Sequence, residues 1–191
     1  MIVGRAIEWL ARATAVLGGL VLCAIVLLTC TSVLGRGLNT LAHSAFLETR
    51  LPSLAEALLG LGVGPILGDF ELVEAGVAFA VFCFLPICQL RRAHATVDVF
   101  TRFLPPVVQR LVIAFWEVVL TGAVLLIAWR LFAGLEGKLR NGETTFLLQF
   151  PVWWAYAASF AAAVVACVVA LHSTVLRVRA VPGGERGDTP A

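Results

Sequence analysis

The sequence predicts an all-α integral membrane protein with four transmembrane helices. Of the 191 residues, 60% are hydrophobic and 14% are charged, a balance typical of membrane proteins rather than of soluble domains. The apolar residues form long runs instead of amphipathic stripes. A helix needs about 20 such residues to cross a hydrocarbon core of about 30 Å. Four segments reach or approach that length, and the spans that we predict are residues 13–35, 72–90, 111–131 and 151–172.

The first predicted span is an uncharged run with arginines on both sides. Ala13–Gly35 contains no Asp, Glu, Lys or Arg over 23 residues, and Arg36 marks its far end. Arg5 and Arg12 precede it as in a signal peptide, but the run is too long for the core of such a peptide, about 7–15 residues, and no clear cleavage site follows. We therefore expect a retained anchor, preceded by a short amphipathic segment over residues 1–12.

A long loop, Gly37–Phe70, separates the first two spans. Ser53 and Glu56 within it have capping-box spacing. Three nearby leucines share one face of a helix: Leu54, Leu58 and Leu61. This pattern favours an interfacial helix on the outer membrane surface, and a loop tucked against the protein is the alternative.

Acidic residues define the second and third spans. The second begins near Asp69, Glu71 and Glu74, and acids in a first helical turn are stabilised by the helix dipole.

The third span is long enough only if Glu117 lies inside it, where a carboxylate usually faces a partner or a wet cavity. Glu117 could act in a proton or ion relay, or could pair with an inner-loop arginine or with a polar group of another subunit. We favour pairing, because only Thr121 offers a second polar group one turn further on.

The most organised polar segment is RRAHATVDVFTRFLPP, Arg91–Pro106. Asp98 and Arg102 pair at i and i+4 on one side of a helix that Pro105 ends. The apolar positions on the other side are Val97, Phe100 and Leu104. A short basic amphipathic helix of this kind is expected to lie flat on the membrane, with its arginines toward anionic lipid headgroups.

The basic residues also set the orientation. The two ends of the chain and the loop between the second and third spans carry nine of the 14 basic residues. The positive-inside rule therefore places both termini and this loop in the cytoplasm.

The fourth span and the tail complete the chain. Pro151 suits a first helical turn. Alanines at every fourth position would let another helix approach closely, in this chain or in a partner: Ala158, Ala162, Ala166 and Ala170. Residues 1–180 are expected to form a single membrane domain, and residues 181–191, which are polar and rich in Pro and Gly, a disordered cytoplasmic tail.

The sequence offers no catalytic, cofactor or metal site, and we predict that the chain is not an enzyme. It contains no phosphate-binding glycine loop, nucleophile elbow or zinc-protease motif, and its five cysteines form no C-x-x-C pair. His94 and Asp98 lie one helical turn apart, but no nearby ligand completes a metal shell. The three histidines are not placed as facing haem ligands. No nucleic-acid partner is expected.

Three stretches carry a resemblance to a known family. Val33-Leu34-Gly35-Arg36 ends the first span in an arginine, and the second span begins after an acid, best matched by Glu71 or Glu74. RRAHATVD followed by Leu104-Pro105 is similar to the pattern R-x-x-H-x-x-V-D…L-P, and GETTFL (142–147), followed by Pro151 and Tyr156, to G-x-T-x-x-L…P…Y. Together they resemble the small membrane subunit of tripartite ATP-independent periplasmic (TRAP) transporters, the DctQ-type family.

The resemblance implies a division of labour in a bacterial inner membrane. A large permease subunit would carry the sodium and substrate sites, and a periplasmic solute-binding protein would deliver an organic acid such as a dicarboxylate. This chain would be a transmembrane scaffold that contacts the large subunit and membrane lipids. The structural or interface residues that we predict are Arg36, Glu71, Glu74, Arg91, Arg92, His94, Asp98, Arg102 and Glu117. The alternatives are a membrane anchor of a redox enzyme and a stand-alone four-helix channel or exporter.

Overall fold

The structure of the chain is a computed structural model, which describes residues 2–44, 49, 53, 60, 64–91 and 105–180. Four long helices account for nearly all of these: α1 (Ile2–Ala42), α2 (Asp69–Arg91), α3 (Pro106–Asn141) and α4 (Trp153–Ala180). The described part contains no strand, and its one β-type pairing is an isolated bridge between Thr144 and Pro151. All four helices are long and apolar enough to cross a membrane. The predicted fold class is confirmed.

Two of the helices are much longer than the predicted spans. α1 has 41 residues and α3 has 36, which correspond to roughly 60 and 54 Å at 1.5 Å per residue. The short amphipathic segment expected over residues 1–12 is continuous with the first span, because residues 2–12 form the first turns of α1 itself. Ile7 and Ala11 are buried there, whereas Trp9 is exposed. No proline occurs before Pro52, so nothing in this stretch removes a backbone hydrogen bond and ends the helix early.

The helices are arranged in a row, in the order α1, α2, α4, α3. α2 packs against α1 on one side and against α4 on the other, and α4 also packs against α3. Direct contact between α1 and α4 is minor. α1, at one end of the row, is therefore the most exposed helix, whereas α4 is the most buried.

Consecutive helices run in alternate directions. Ala11, near the start of α1, forms a core cluster with Val169, near the end of α4, and Leu90, at the end of α2, packs against it. We call this the Arg91 end of the protein, after the last residue of α2, and the opposite one the Glu71 end. The start of α1 and the end of α4 thus lie at the same end.

Small residues occupy the helix contacts. Three of the four laddered alanines of α4 are buried within this chain: Ala162, Ala166 and Ala170. On the other side of the row, α1 approaches α2 so closely at Gly18 that a Cβ there would lie 2.6 Å from the Cβ of Cys83. The alanine ladder therefore serves mainly the packing of this chain, one of the two roles that the sequence left open.

Three predicted features lie wholly or mostly outside the described residues. One is the interfacial helix expected around Ser53 and Glu56, of which only isolated residues such as Ser53 are described. The others are the amphipathic helix within residues 92–104 and the tail, 181–191. These remain predictions.

Candidate functional site

Glu71 is the main polar anchor at the Glu71 end. It lies in the first turn of α2 and is buried. Its carboxylate accepts hydrogen bonds from the backbone N–H groups of Leu147, at 2.7 Å, and Leu148, at 3.0 Å. Backbone donors in an irregular loop have no helical or ladder partner, and leaving them unpaired where water is partly excluded is costly. Glu71 therefore fixes the loop between α3 and α4 to the start of α2.

The loop, residues 142–152, is also held by bonds of its own. The N–H of Thr145 donates to the carbonyl of Phe150 at 3.0 Å, and the N–H of Phe150 donates to the hydroxyl of Thr145 at 3.2 Å. The N–H of Val152 donates to the carbonyl of Glu143 at 3.0 Å. These bonds close a compact hairpin-like turn, whose shape Glu71 then secures against α2.

Glu143 connects this loop to the end of α3. Its carboxylate pairs with the Lys138 ammonium and accepts a hydrogen bond from the Asn141 amide at 3.1 Å. The hydrogen bond from Lys138, followed by the one from Asn141, holds the pKa of Glu143 below its ordinary value of 4.5. Gly142, between helix and loop, adopts a left-handed conformation with φ of 63°, which glycine reaches without a steric penalty.

Ser32 plays the equivalent part between α1 and α2. It is fully buried, and its hydroxyl donates to the Asp69 carboxylate at 2.5 Å. The same hydroxyl accepts a hydrogen bond from the N–H of Ile66 at 3.3 Å. Arg36, one turn further along α1, lies 3.8 Å from the same Asp69 oxygen. The predicted interface residue Arg36 thus helps to tie the end of α1 to the start of α2.

A cleft of about 430 Å³ lies beside the loop, between α2 and α4, and reaches Leu131 of α3. We call it the Glu74 cleft. Its walls combine aromatic, small and aliphatic side chains, with Glu71 and Glu74 as the acidic residues. The lining residues used below are Phe70, Glu74, Phe82, Phe146, Phe150 and Tyr156. Glu74 is exposed, in contrast to Glu71. The two acids, which are equivalent in the sequence pattern, therefore have different environments.

Glu117 lies within α3 and is buried, with 6% of its surface exposed. The Gln89 amide of α2 donates a hydrogen bond to its carboxylate at 2.9 Å. One turn further along α3, the Thr121 hydroxyl lies 2.7 Å from the hydroxyl of Thr174 on α4. Glu117 therefore has a polar contact within its own chain, on a helix that is not its neighbour in the row.

Arg91 is the last residue of α2 and is exposed. The other inner-loop residues of the predicted set lie outside the described residues: Arg92, His94, Asp98 and Arg102. Their joint role at the membrane surface, and any pairing of these arginines with Glu117, stay predictions.

The described members of the predicted set do not meet at one site. Arg36, Glu71 and Glu74 lie at the Glu71 end, whereas Arg91 lies at the other and Glu117 bonds to a residue close to it. Within residues 2–44, 64–91 and 105–180, no three His, Cys, Asp or Glu residues come together as a metal site. The arrangement can join helices and hold a loop, which is the chemistry of a structural or docking surface.

Two residues of these contacts were not singled out from the sequence, Ser32 and Gln89. Each carried a signal that could have been used. Ser32 precedes Arg36 by four residues and so shares its helix face. Gln89 is the only amide side chain in the predicted second span, where a buried polar group needs a partner.

Comparison with known proteins gives one match. The family model described as "Tripartite ATP-independent periplasmic transporters, DctQ component" matches residues 25–180. This range includes the C-terminal part of α1, from residue 25 onward, and all of α2, α3 and α4. No curated protein and no solved structure matches the chain.

Proposed function

Because the chain belongs to the DctQ component family of TRAP transporters, we propose that it is the small transmembrane scaffold subunit of a sodium-coupled, binding-protein-dependent importer of an organic acid. The observation that carries the proposal is the family match across residues 25–180. A component of a tripartite transporter works with other subunits. The partners that we propose are a large permease subunit and a periplasmic solute-binding protein.

The architecture supports a scaffold role. A row of helices buries little of each helix and leaves long apolar faces at the surface, above all on α1. In the membrane such faces contact lipid or another membrane protein. The polar contacts of the described residues, from Ser32 to Asp69 and from Glu71 to the loop, join this chain's own elements. We therefore assign substrate and sodium sites to the large permease subunit.

We further propose that the protein lies in a bacterial inner membrane with both termini in the cytoplasm. The nine basic residues at the two ends and in the middle loop support this orientation. The alternating helix directions agree with it, because the start of α1 and the end of α4 share the Arg91 end. The Glu71 end, with the loop and the Glu74 cleft, would then face the periplasm. Arg91 and the loop that follows it would contact lipid headgroups.

The test is to tag this chain in its native host, solubilise it gently and identify the proteins that co-purify. We expect a large polytopic permease in about equal amount, and uptake of an organic acid that depends on sodium when both subunits and a binding protein are placed in liposomes. Recovery of a flavin or iron–sulfur protein, or a haem absorbance spectrum, would support the redox-anchor alternative. Transport by this chain alone in liposomes would support a channel. Either result would overturn the scaffold proposal.

A further inference from the structure

The Glu74 cleft can be reached from outside the chain. Four of its lining residues, Phe70, Glu74, Ala78 and Phe146, are exposed, and Phe146 exposes 89% of its surface. The loop that carries Phe146 is fixed by Glu71 and by its own hairpin bonds. The cleft is therefore a surface with defined walls, which a partner could enter without first ordering the loop.

The charge of the cleft is unbalanced. Its lining includes two carboxylates and no Lys, Arg or His. Glu71 already accepts two backbone hydrogen bonds. The Glu74 carboxylate makes no hydrogen bond or ion pair with any residue that the structure describes. It lies five residues after the start of α2, beyond the first turn in which the helix dipole stabilises an acid most effectively.

A carboxylate in this position is stabilised by a nearby cation. About 7.5 Å along a spanning helix, a charge beside apolar and aromatic walls is costly unless an opposite charge or water compensates it. Aromatic rings add to the attraction, because a Lys ammonium or an Arg guanidinium interacts favourably with a ring face. Phe70, Phe146 and Tyr156 supply such rings around the cleft.

The shape of the cleft indicates what carries the cation. Its lining runs along α2 from Phe70 to Phe82, about 18 Å of helix, which is more than half of a hydrocarbon core of about 30 Å. A soluble protein at the membrane surface would not reach that depth. A phospholipid would, but its phosphate would meet two carboxylates and no basic side chain. A helix of another membrane protein reaches this depth and can carry a Lys or Arg side chain to the Glu74 carboxylate. The small side chains of Ala75 and Ala78 leave room for such a helix.

We infer that the Glu74 cleft receives a Lys or Arg side chain from a membrane-embedded segment of a partner protein, with Glu74 as its counter-charge. This rests on the proposed function for the partner's identity, which is then the large permease subunit. Glu71 shapes the site by holding the loop, and Glu74 provides the electrostatic contact. The two acids that resemble one another in sequence thus have separate tasks.

The experiment combines a charge variant with a crosslink in the tagged, natively expressed chain. Glu74→Gln keeps the size of the side chain and removes its charge. Glu136→Gln is the matched control, since Glu136 is also exposed and lies on α3 outside the cleft. We expect Glu74→Gln to lower recovery of the permease subunit by about tenfold or more, as for loss of one member of a desolvated charge pair, and Glu136→Gln to leave it unchanged. Equal chain abundance and helical content would show that both variants fold.

A photo-crosslinking phenylalanine analogue at position 146 then identifies the occupant. We expect an adduct with a membrane segment of the permease subunit close to a Lys or Arg. Reversal of both charges, Glu74→Lys with the mapped residue changed to Glu, should restore recovery. An adduct with lipid alone, or none, in a complex that still co-purifies would overturn the inference and leave the proposed function standing. An adduct with a different membrane protein would overturn the proposed function and uphold the cleft as a docking site.

Discussion

Glu71 and Leu147 lie 76 positions apart in the sequence and are joined by a 2.7 Å hydrogen bond from the Leu147 N–H to the Glu71 carboxylate. The Leu148 N–H donates to the same carboxylate, so the Glu71 side chain holds an eleven-residue loop, residues 142–152, through two hydrogen bonds. That loop forms one wall of the Glu74 cleft. A structural bond at Glu71 thus prepares the surface on which a partner is proposed to dock.

Glu71→Ala is expected to loosen the loop. The backbone N–H groups of Leu147 and Leu148 lose their acceptor, so hydrogen–deuterium exchange at these two amides should become about tenfold faster or more. Glu71→Gln, which keeps one acceptor oxygen, should give a smaller increase. Exchange measured by mass spectrometry on the purified protein checks this. Unchanged exchange in Glu71→Ala would show that the loop is held by its internal bonds alone.

Ser32→Ala is expected to weaken the connection between α1 and α2. It removes the donor to Asp69 and the acceptor for the Ile66 N–H, and two partly buried hydrogen bonds correspond to about 1–3 kcal/mol of unfolding free energy. The control is Thr31→Ala, because the Thr31 hydroxyl is exposed and bonds only to the Leu27 carbonyl of its own helix. Denaturant unfolding in detergent measures both. Equal losses would contradict the role of Ser32.

Gly18→Ala and Gly19→Ala are expected to have opposite effects. A Cβ at Gly18 would lie 2.6 Å from the Cβ of Cys83, so α1 would have to move away from α2, at a cost of about 1–3 kcal/mol. A Cβ at Gly19 meets nothing within 4 Å, and alanine should improve helix propensity there by up to about 1 kcal/mol. Thermal unfolding of the two variants tests this close approach. A stabilising Gly18→Ala would contradict it.

The attachment of the loop to α3 is expected to weaken in acid. Hydrogen bonds from Lys138 and Asn141 lower the pKa of Glu143 below 4.5. The folded state therefore favours the carboxylate, and this contribution is present above pH 4.5 and is lost as the pH falls through the lower folded-state value. Amide exchange of residues 142–152, corrected for intrinsic rates, should rise in that range. Glu143→Gln should remove the pH dependence, and a variant that retains it would assign the effect to another group.

Asp98→Ala and His94→Ala are expected to lower the abundance or assembly of the transporter rather than its substrate affinity. The resemblance assigns these residues to the inner edge of the scaffold, by contacts within the subunit, to lipid headgroups or to the large subunit. Uptake measured against substrate concentration, normalised to the amount of complex, separates the two effects. A changed apparent affinity at normal complex levels would contradict a purely structural role.

The distribution of apolar residues was sufficient to predict the number of membrane helices. Long runs without charge have few folded alternatives to a spanning helix, because lipid offers no partners for exposed backbone groups. The same reasoning required Glu117 to lie within the third span, and α3 does include it. Helix lengths were harder to predict. The predicted first span began at residue 13, but the helix begins at Ile2, because no proline interrupts residues 2–12.

The polar contacts could be predicted only in part. Arg36 and Glu71 were recognised by position and by family resemblance, but their partners were not. Glu71 binds backbone N–H groups. Every residue except proline has such a group, so the residue types in the sequence do not show which one will be the donor. Gln89 reaches Glu117 from a helix that is neither adjacent to α3 in the row nor marked by any charge pattern.

The sequence by itself determined the four spanning helices and the family of this protein, since both depend on residue types at fixed spacing along the chain. Only the tertiary structure decided that Glu71 is buried and bonded while Glu74, three residues later, stands exposed in a cleft. The physical reason is that three residues turn a helix by about 300°. Which of the two sides meets the loop depends on how α2, α4 and α3 pack together.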